Sequence, residues 1–504
     1  MDATHGSARF VHPAEAGLVP ASEGTAIPLG SIRGGGRWRA REVVVSLPAW
    51  PAGQNVAVLG PPRSGSSASV FVPALLSAGL QPERPSLVVS DPKGELLAIA
   101  IGHLTDAGYA VRTLAWSDPA LSHGYDALGW LNPTNGRESL DYTKAQELAA
   151  TLVPSTGSEC DPLGLQVPRL VAAASVVLAC RSGGTLADAL ALMYLVARDP
   201  ESVLDLAQQT DRWAYAHLGI LLSAMQADPR LRADLIMDLP ARYQTWTQPP
   251  TLAVLHGRRP DEPVVAPEDL WSREAPVAIF IIGGREQSSQ LAFWWSHLLS
   301  SLLSAQRTLE QLPRPVWLLM DKFDNIGRVP NVLAGLDVLP DAGVSTVLGL
   351  QSVAQPTAIY GRDDAAAILA STHAVLALPK LDHDSADWIS KRLGYSTGLS
   401  QSVSMDGKGR GTITMTPHQR RVLHADEVSA LDPSLLLVQR TGYCATLLRQ
   451  RRYYTTPEWA EAAAIGNPAE PHISDVLQQL QRTPLEAPSL DAPAEQAIGR
   501  RGPG

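Results

Sequence analysis

The stretch from Val56 to Ser69, reading VAVLGPPRSGSSAS, constrains this chain more than any other. A short apolar run (Val56, Ala57, Val58, Leu59) stops at Gly60. After Gly65 an apolar pattern at helical spacing resumes through Val70, Phe71, Leu75 and Leu76. Strand, glycine turn and helix in that order form the layout of a loop whose backbone amides cradle phosphate. Against the pattern GxxxxGK[ST], Gly60, Gly65 and Ser67 fit, while Ser66 stands where the lysine belongs. That lysine neutralises the outer phosphates of a nucleotide, and a charge at about 4 Å in a partly screened site interacts by roughly 4 kcal/mol before desolvation. Losing it weakens binding by orders of magnitude. Only six of the 41 basic residues are lysines (93, 144, 322, 380, 391 and 408), so composition as well as selection can explain the gap. Arginine is no substitute at Ser66, because its planar fork does not enter the space an ammonium fills.

The pattern around the loop predicts an α/β fold. Glu42 to Leu47 alternates as a strand does, and the runs Ser86–Ser90 and Ala110–Trp116 are apolar, the first closing on Asp91-Pro92-Lys93-Gly94-Glu95. Strands apolar throughout and separated by helical stretches indicate a parallel sheet covered on both faces. Ligands of such sheets bind at the carboxyl ends of the strands, which puts DPKGE on the rim that carries the loop. From Asp141 to Glu262 apolar residues recur at helical spacing, which reads as an inserted all-α domain. Its aromatic residues Trp213, Tyr215, Tyr243 and Trp246 read as helix core before base-stacking groups. The sheet resumes at Val277–Ile282, followed by a long helix at Gln290–Leu309 and strands at Val316–Met320, Ser345–Leu350 and Ala374–Leu378. Gly394 to Pro417 reads as an exposed mobile hairpin, and Leu435–Gln439 with Ala445–Arg449 as a closing antiparallel pair. The expected organisation is a flexible arm over 1–40, a first sheet part over 41–140, the all-α insertion over 141–262, a second sheet part over 263–465 and a disordered tail over 466–504, with one short helix at Asp475–Leu480.

Composition narrows the class. A chain of 504 residues with 45% apolar and 18% charged residues buries at least one large core. A net charge of -9 argues against coating nucleic acid as a whole but leaves room for a local basic path, since arginines cluster at Arg33–Arg41, Arg420–Arg421 and Arg449–Arg452. Cys160, Cys180 and Cys444 lack metal-ligand spacing and read as reduced thiols of a cytoplasmic protein. No run of about 18 apolar residues occurs, so no transmembrane segment is expected in this chain. No Ser/His/Asp or Cys/His arrangement is legible either.

Six motifs in order agree with one family. The loop GPPRSGSS, SDPKGEL from Ser90, LLMDKFDNIGRVPNV from Leu318, GLQSVAQ from Gly349, LDHDSADWISKRLG from Leu381 and RVLHADEVSALDPSLLLVQRTG from Arg421 together resemble the TraG/TraD-type coupling proteins of type IV secretion and conjugation. The similarity runs from about Arg41 to Tyr454. It implies a RecA-like sheet domain with an inserted helical domain, assembled as a hexameric ATPase that delivers DNA or protein to a secretion channel. It also implies roles for Gly60, Arg63, Ser64, Gly65, Ser66, Ser67 and Lys93 around phosphate, for Ser67 and Asp321 around magnesium, and for Gln351 as a γ-phosphate sensor.

The departures from that family matter as much. Arg63 replaces a loop glycine, Ser66 replaces the lysine, and Lys322 follows Asp321 where the family has the glutamate that activates water. An ammonium accepts no proton near neutral pH unless burial shifts its pKa by several units. Hydrolysis is therefore expected to be very slow or absent, and ATP with magnesium and no cofactor at all both stay open. Lys322 or Lys93 is a candidate to supply the missing charge; the plainer expectation pairs Lys322 with Asp324. Three functions follow. The first is a coupling-protein-like component with impaired ATPase, peripheral at the inner membrane face. Its partners would be secretion components, single-stranded or relaxase-bound DNA, or an active paralogue, in a homo- or hetero-hexamer. The second is an active translocase using unusual residues, with Arg328 or Arg362 reaching across an interface. The third is a binding protein with no transfer role.

Overall fold

The structure, a computed structural model, describes residues 7–21, 24–33, 42–131, 140–153, 163–256, 264–272, 274–405 and 411–465. The strands β1 (Val19–Pro20), β2 (Ala26–Arg33) and β3 (Glu42–Pro48) precede the loop strand β4 (Asn55–Leu59). Next come β5 (Ser86–Ser90), β6 (Ala110–Ala115), β7 (Val277–Ile282), β8 (Val316–Met320), β9 (Val344–Leu350) and β10 (Ala374–Ala377). The hairpin β11 (Tyr395–Met405) and β12 (Gly411–Arg421) is followed by β13 (Leu435–Arg440) and β14 (Thr446–Arg449). Among the described residues twelve strands form one sheet in the order β1-β3-β2-β14-β13-β10-β4-β9-β8-β5-β7-β6. From β10 to β6 every neighbour is parallel. From β10 outward to β1 every neighbour is antiparallel.

The unbroken apolar strands are explained by the two cores they separate. Val56, Val58, Trp317 and Leu319 enter one, shared with the helices α1 (Val72–Ala78) and α2 (Glu95–Asp106). Ala57, Leu59, Leu318 and Met320 enter the other. Each fully buried side chain of this size contributes about 1.5–3 kcal/mol, so a polar residue on either face would be costly.

Among the described residues seven α-helices lie between β6 and β7: α3 (Tyr142–Leu152), α4 (Leu163–Arg181), α5 (Leu186–Arg198), α6 (Pro200–Thr210), α7 (Arg212–Ala227), α8 (Pro229–Tyr243) and α9 (Pro249–Leu255). Asp141, Asp199, Asp211 and Asp228 cap α3, α6, α7 and α8 by accepting from their first amides, each cap worth about 1 kcal/mol. Tyr243 and Trp246 are buried in the core and Trp213 is half-buried, as helix-core aromatics should be, while Tyr215 is partly exposed. The helix α10 (Ser288–Leu309) returns the chain to the sheet and buries Phe293, Trp294, Trp295 and Leu298 in the same core.

Two expectations change. The flexible arm expected over 1–40 holds β2, whose Ile27 and Leu29 are fully buried beside β3. Proline and glycine content concealed it, and the structure absorbs Pro28 through a register shift between Pro28 and Gly30. The hairpin extends past Pro417 to Arg421 and forms a separate two-stranded sheet with Leu399 and Met415 exposed. The glycines Gly34–Gly36, Cys160 and the tail with its helix at Asp475–Leu480 lie outside the described residues. Among the described residues no helix is long and apolar enough to cross a membrane.

Titratable groups are buried where the helical block meets the sheet. His297 of α10 shares a hydrogen bond with the Tyr125 hydroxyl, its ring 4.8 Å from that of Trp130. Burial, reinforced by the Lys144 charge, pushes the imidazole down to about 3, so it is neutral. Glu268 is pushed up to about 7, chiefly by burial, with Asp126 and Asp269 adding to it, and its Oε1 has no partner. A carboxyl raised this far costs nothing below its unfolded value near 4.5 and destabilises the fold progressively as pH rises through 7, by about 3 kcal/mol at the alkaline end. Glu268→Gln should therefore raise the melting temperature at pH 8 and lose that advantage at pH 4.5, as followed by thermal unfolding across pH.

Candidate nucleotide-binding site

The parallel ladder delivers the site residues to one rim. Leu59 and Leu350 end neighbouring strands, and the Gly60 amide donates to the Leu350 carbonyl at 2.9 Å. Met320 and Ser90 are register partners, so Asp321 and Asp91 leave the sheet side by side. Gln351 follows β9 on the same rim, its amide donating to Gln355 Oε1 at 2.7 Å.

The loop turns through two left-handed residues before it enters a helix. Gly65 sits at φ 93° and Arg63 at φ 66°. Only glycine holds the first region cheaply, and a side chain in left-handed backbone costs on the order of 1 kcal/mol. Arg63 thus preserves a turn that a glycine would make without strain. The Gly65 carbonyl accepts from the Ser69 amide at 2.8 Å and the Ser69 hydroxyl at 2.7 Å, starting the helix that runs through Ser67–Phe71 into α1. Ser66 has helical backbone, φ -51° and ψ -51°, and caps nothing with its side chain. The Ser64 hydroxyl is buried in the loop with no partner.

Ser67 Oγ donates to Asp321 Oδ2 at 2.7 Å, closing the loop onto β8. Burial raises the Asp321 carboxyl above the usual range; the Ser67 hydrogen bond and the Lys322 charge oppose the rise, and Glu95 adds to it. Lys322 is in left-handed backbone at φ 55°. A carbon added to Gly349 of β9 would meet the Met320 carbonyl and the Lys322 amide at 3.2 Å, so this glycine lets the two strand ends approach. Asp91 is buried and accepts from the Leu97 amide at 2.8 Å, and burial raises its pKa against several such amides.

Several expected partners differ. Asp324 does not pair with Lys322; its buried carboxylate accepts from Arg285 Nη2 at 2.6 Å. Arg285 arrives from the turn after β7, whose distance in sequence hid it. Lys93 lies 3.7 Å from Glu95, with both side chains exposed. Arg328 is held within its own chain by Asp364 at 3.0 Å, by the Tyr360 carbonyl and over the Tyr360 ring. Arg362 is exposed. Of the arginine clusters, Arg420 pairs with Glu427, Arg421 with Asp387 and Arg451 with Glu458, while the cluster after Arg33 lies outside the described residues. Glu95 stands on the rim with the rest of the DPKGE turn, as its sequence suggests, whereas Arg285, Gln450 and Arg452 had no signal beyond the basic cluster that contains Arg452.

The residues fit a magnesium nucleotide in part. Ser67 and Asp321 form the pair that would hold the cation, and the amides of Gly65, Ser66 and Ser67, with the unpartnered Ser64 hydroxyl, would form the cradle for phosphate oxygens. Neither the lysine of the loop nor the glutamate after Asp321 is present.

A parallel sheet with a glycine loop at its switch from strand to helix, and a carboxylate two strands away, defines the nucleoside-triphosphatase fold of the RecA-like class. A profile described as type IV secretory system conjugative DNA transfer matches residues 17–205 and 278–483, and the chain belongs to that family. Solved structures agree on the fold. The bacterial conjugative coupling protein TrwBdeltaN70, in a trigonal form with sulphate, is 15% identical with a TM-score of 0.58, covering 88% of this chain and 93% of that one. The plasmid coupling protein TrwB with the ATP analogue ADPNP is 16% identical at 0.56, covering 81% and 87%. VirB4 of Thermoanaerobacter pseudethanolicus is 12% identical at 0.50, covering 86% and 98%. Comparison with curated proteins gives no match.

The Arg285 bridge carries its own test. Removing the exposed partner leaves a buried carboxylate whose other oxygen, Oδ1, already lacks a partner. Arg285→Ala should cost about 1–3 kcal/mol in urea unfolding, and Asp324→Asn in that background should recover part of it.

Proposed function

We propose that this chain is a coupling-protein-type component of a conjugative type IV secretion system that keeps the architecture of the motor without competent ATP hydrolysis. One observation carries the reading. Ser67 and Asp321 meet at 2.7 Å as a magnesium pair should, beside a loop that turns through two left-handed residues, while Ser66 and Lys322 occupy the two positions that need a cation and a base. Two losses in opposite halves of one site, with the frame between them intact, fit a subunit that recruits or positions substrate rather than one that drives it. A general base contributes about 10²–10⁴-fold to such a reaction, and Lys322 cannot act as one while protonated.

The arrangement suits a subunit working beside secretion components and an active paralogue, on single-stranded or relaxase-bound DNA. Homo- or hetero-hexameric assembly at the inner face of the membrane belongs to the same reading. The second function, a motor completed by a neighbour's arginine, is less supported, because Arg328 is engaged by Asp364 and Tyr360 of its own chain.

Phosphate release by the purified full chain, with magnesium and single-stranded DNA, should stay at background. The double variant Ser66→Lys with Lys322→Glu should raise it at least tenfold. Magnesium-dependent turnover by the unaltered chain alone would overturn the reading.

A further inference from the structure

The chain lacks a lysine in its loop, yet a different cation stands over that loop. The strand β14 ends at Arg449, and the segment Gln450-Arg451-Arg452 runs back along the rim into the tight turn Tyr453–Thr455. That turn packs against the start of the loop helix. A carbon built on Gly65 would lie 3.7 Å from Arg452 Nε, 4.0 Å from Arg452 Nη2 and 3.8 Å from Gln450 Oε1. The guanidinium therefore borders the second glycine of the phosphate loop, next to the position Ser66 vacates.

Three further observations favour an anion there. Arg452 is fixed from behind: its carbonyl accepts from the Thr455 amide at 3.0 Å and from the hydroxyls of Thr455 and Thr456 at 2.9 and 3.2 Å. Its Nη1 donates to the Tyr454 hydroxyl at 3.0 Å, and among the described residues no carboxylate pairs with it, whereas its neighbour Arg451 faces Glu458. In the loop itself the Ser64 hydroxyl, one residue before Gly65, is buried without a partner and free to donate, while the Gln450 Oε1 acceptor, also unpartnered, does not favour an anion. A fork of donors carried on a held backbone, tethered through Nη1 and, among the described residues, without a counter-charge, beside loop amides matches the donor pattern phosphate needs. An arginine fails at Ser66 for lack of room, but approaching from across the loop its plane has space.

We propose that Arg452 is the phosphate-binding cation of this chain, supplying from the carboxyl-terminal segment the charge that the loop lacks, so that a nucleoside triphosphate is held without being split. This rests on the rim being a nucleotide site, the reading above. Holding and splitting are separable: Arg452 replaces the lysine's charge but, being a cation, does not replace the base lost at Lys322.

Equilibrium binding of a fluorescent ATP analogue to the full chain, with magnesium, tests it, and inorganic tripolyphosphate serves as competitor. The unaltered chain should bind, and tripolyphosphate should displace the analogue. Arg452→Ala should weaken binding at least tenfold, Arg452→Lys less, and adding Ser66→Lys to Arg452→Ala should restore it. Thermal unfolding of each variant checks the fold, and Arg452→Gln, which keeps an amide toward Tyr454, gives the same reading should the alanine variant fail to fold. No binding by the unaltered chain at millimolar ligand, or equal affinity in the folded Arg452 variants, would overturn the proposal and leave the non-hydrolysing reading standing. Turnover would overturn that reading and leave the Arg452 assignment to the binding data.

Discussion

The hydrogen bond between Ser67 and Asp321 is the contact on which the site depends. It joins the first turn of the loop helix to the end of β8, two strands away across β9. It forms only if β4, β9 and β8 keep a common register, because a slip by one residue would turn Asp321 toward the other face of the sheet. That register is set by side chains buried on both faces, so the stability of the sheet and the geometry of the rim are one problem. The shared bond also holds two groups that would take a cation in their most compact arrangement.

The parallel core was legible in the sequence because its strands have one possible use. Runs such as Ser86–Ser90 and Val316–Met320 are too short for helices and too apolar for an edge, and the structure reproduces both spans. β2 was illegible for the opposite reason. Pro28 and Gly30 read locally as breakers, and only pairing with β3 turns them into a bulged strand. Placement on the rim was readable from strand ends, hence Asp321, Gln351 and the DPKGE turn. Partners were not. Asp324 finds Arg285 through the packing of separate segments, and Arg452 reaches Gly65 from the far end of the chain, distances that no local pattern encodes.

The substitutions in the loop have unequal structural consequences. Arg63 accepts a left-handed backbone to keep a turn, which preserves the shape at some strain. Ser66 continues the helix without strain and alters charge alone. Lys322 likewise takes a left-handed conformation at the end of β8 while leaving Asp321 in place. At this rim two of the three positions, Arg63 and Lys322, sit in left-handed backbone, while Ser66 is helical.

The antiparallel extension has one more consequence. β2 meets β14 at a single register pair, Ser31 with Arg449, whereas β2 and β3 pair along their length. Backbone hydrogen bonds thus contribute little to that seam, and Ile27 and Leu29 instead join it through the apolar cluster they share with α1. Side-chain hydrogen bonds such as Ala26 to Gln81 and Thr25 to Glu83 pin the start of β2, but the apolar share of the attachment loosens on cooling, as apolar association does. The amino-terminal ribbon and the helix behind the glycine loop are thereby thermally linked: chilling should slacken the outer flap before it disturbs the strands that carry the chemistry.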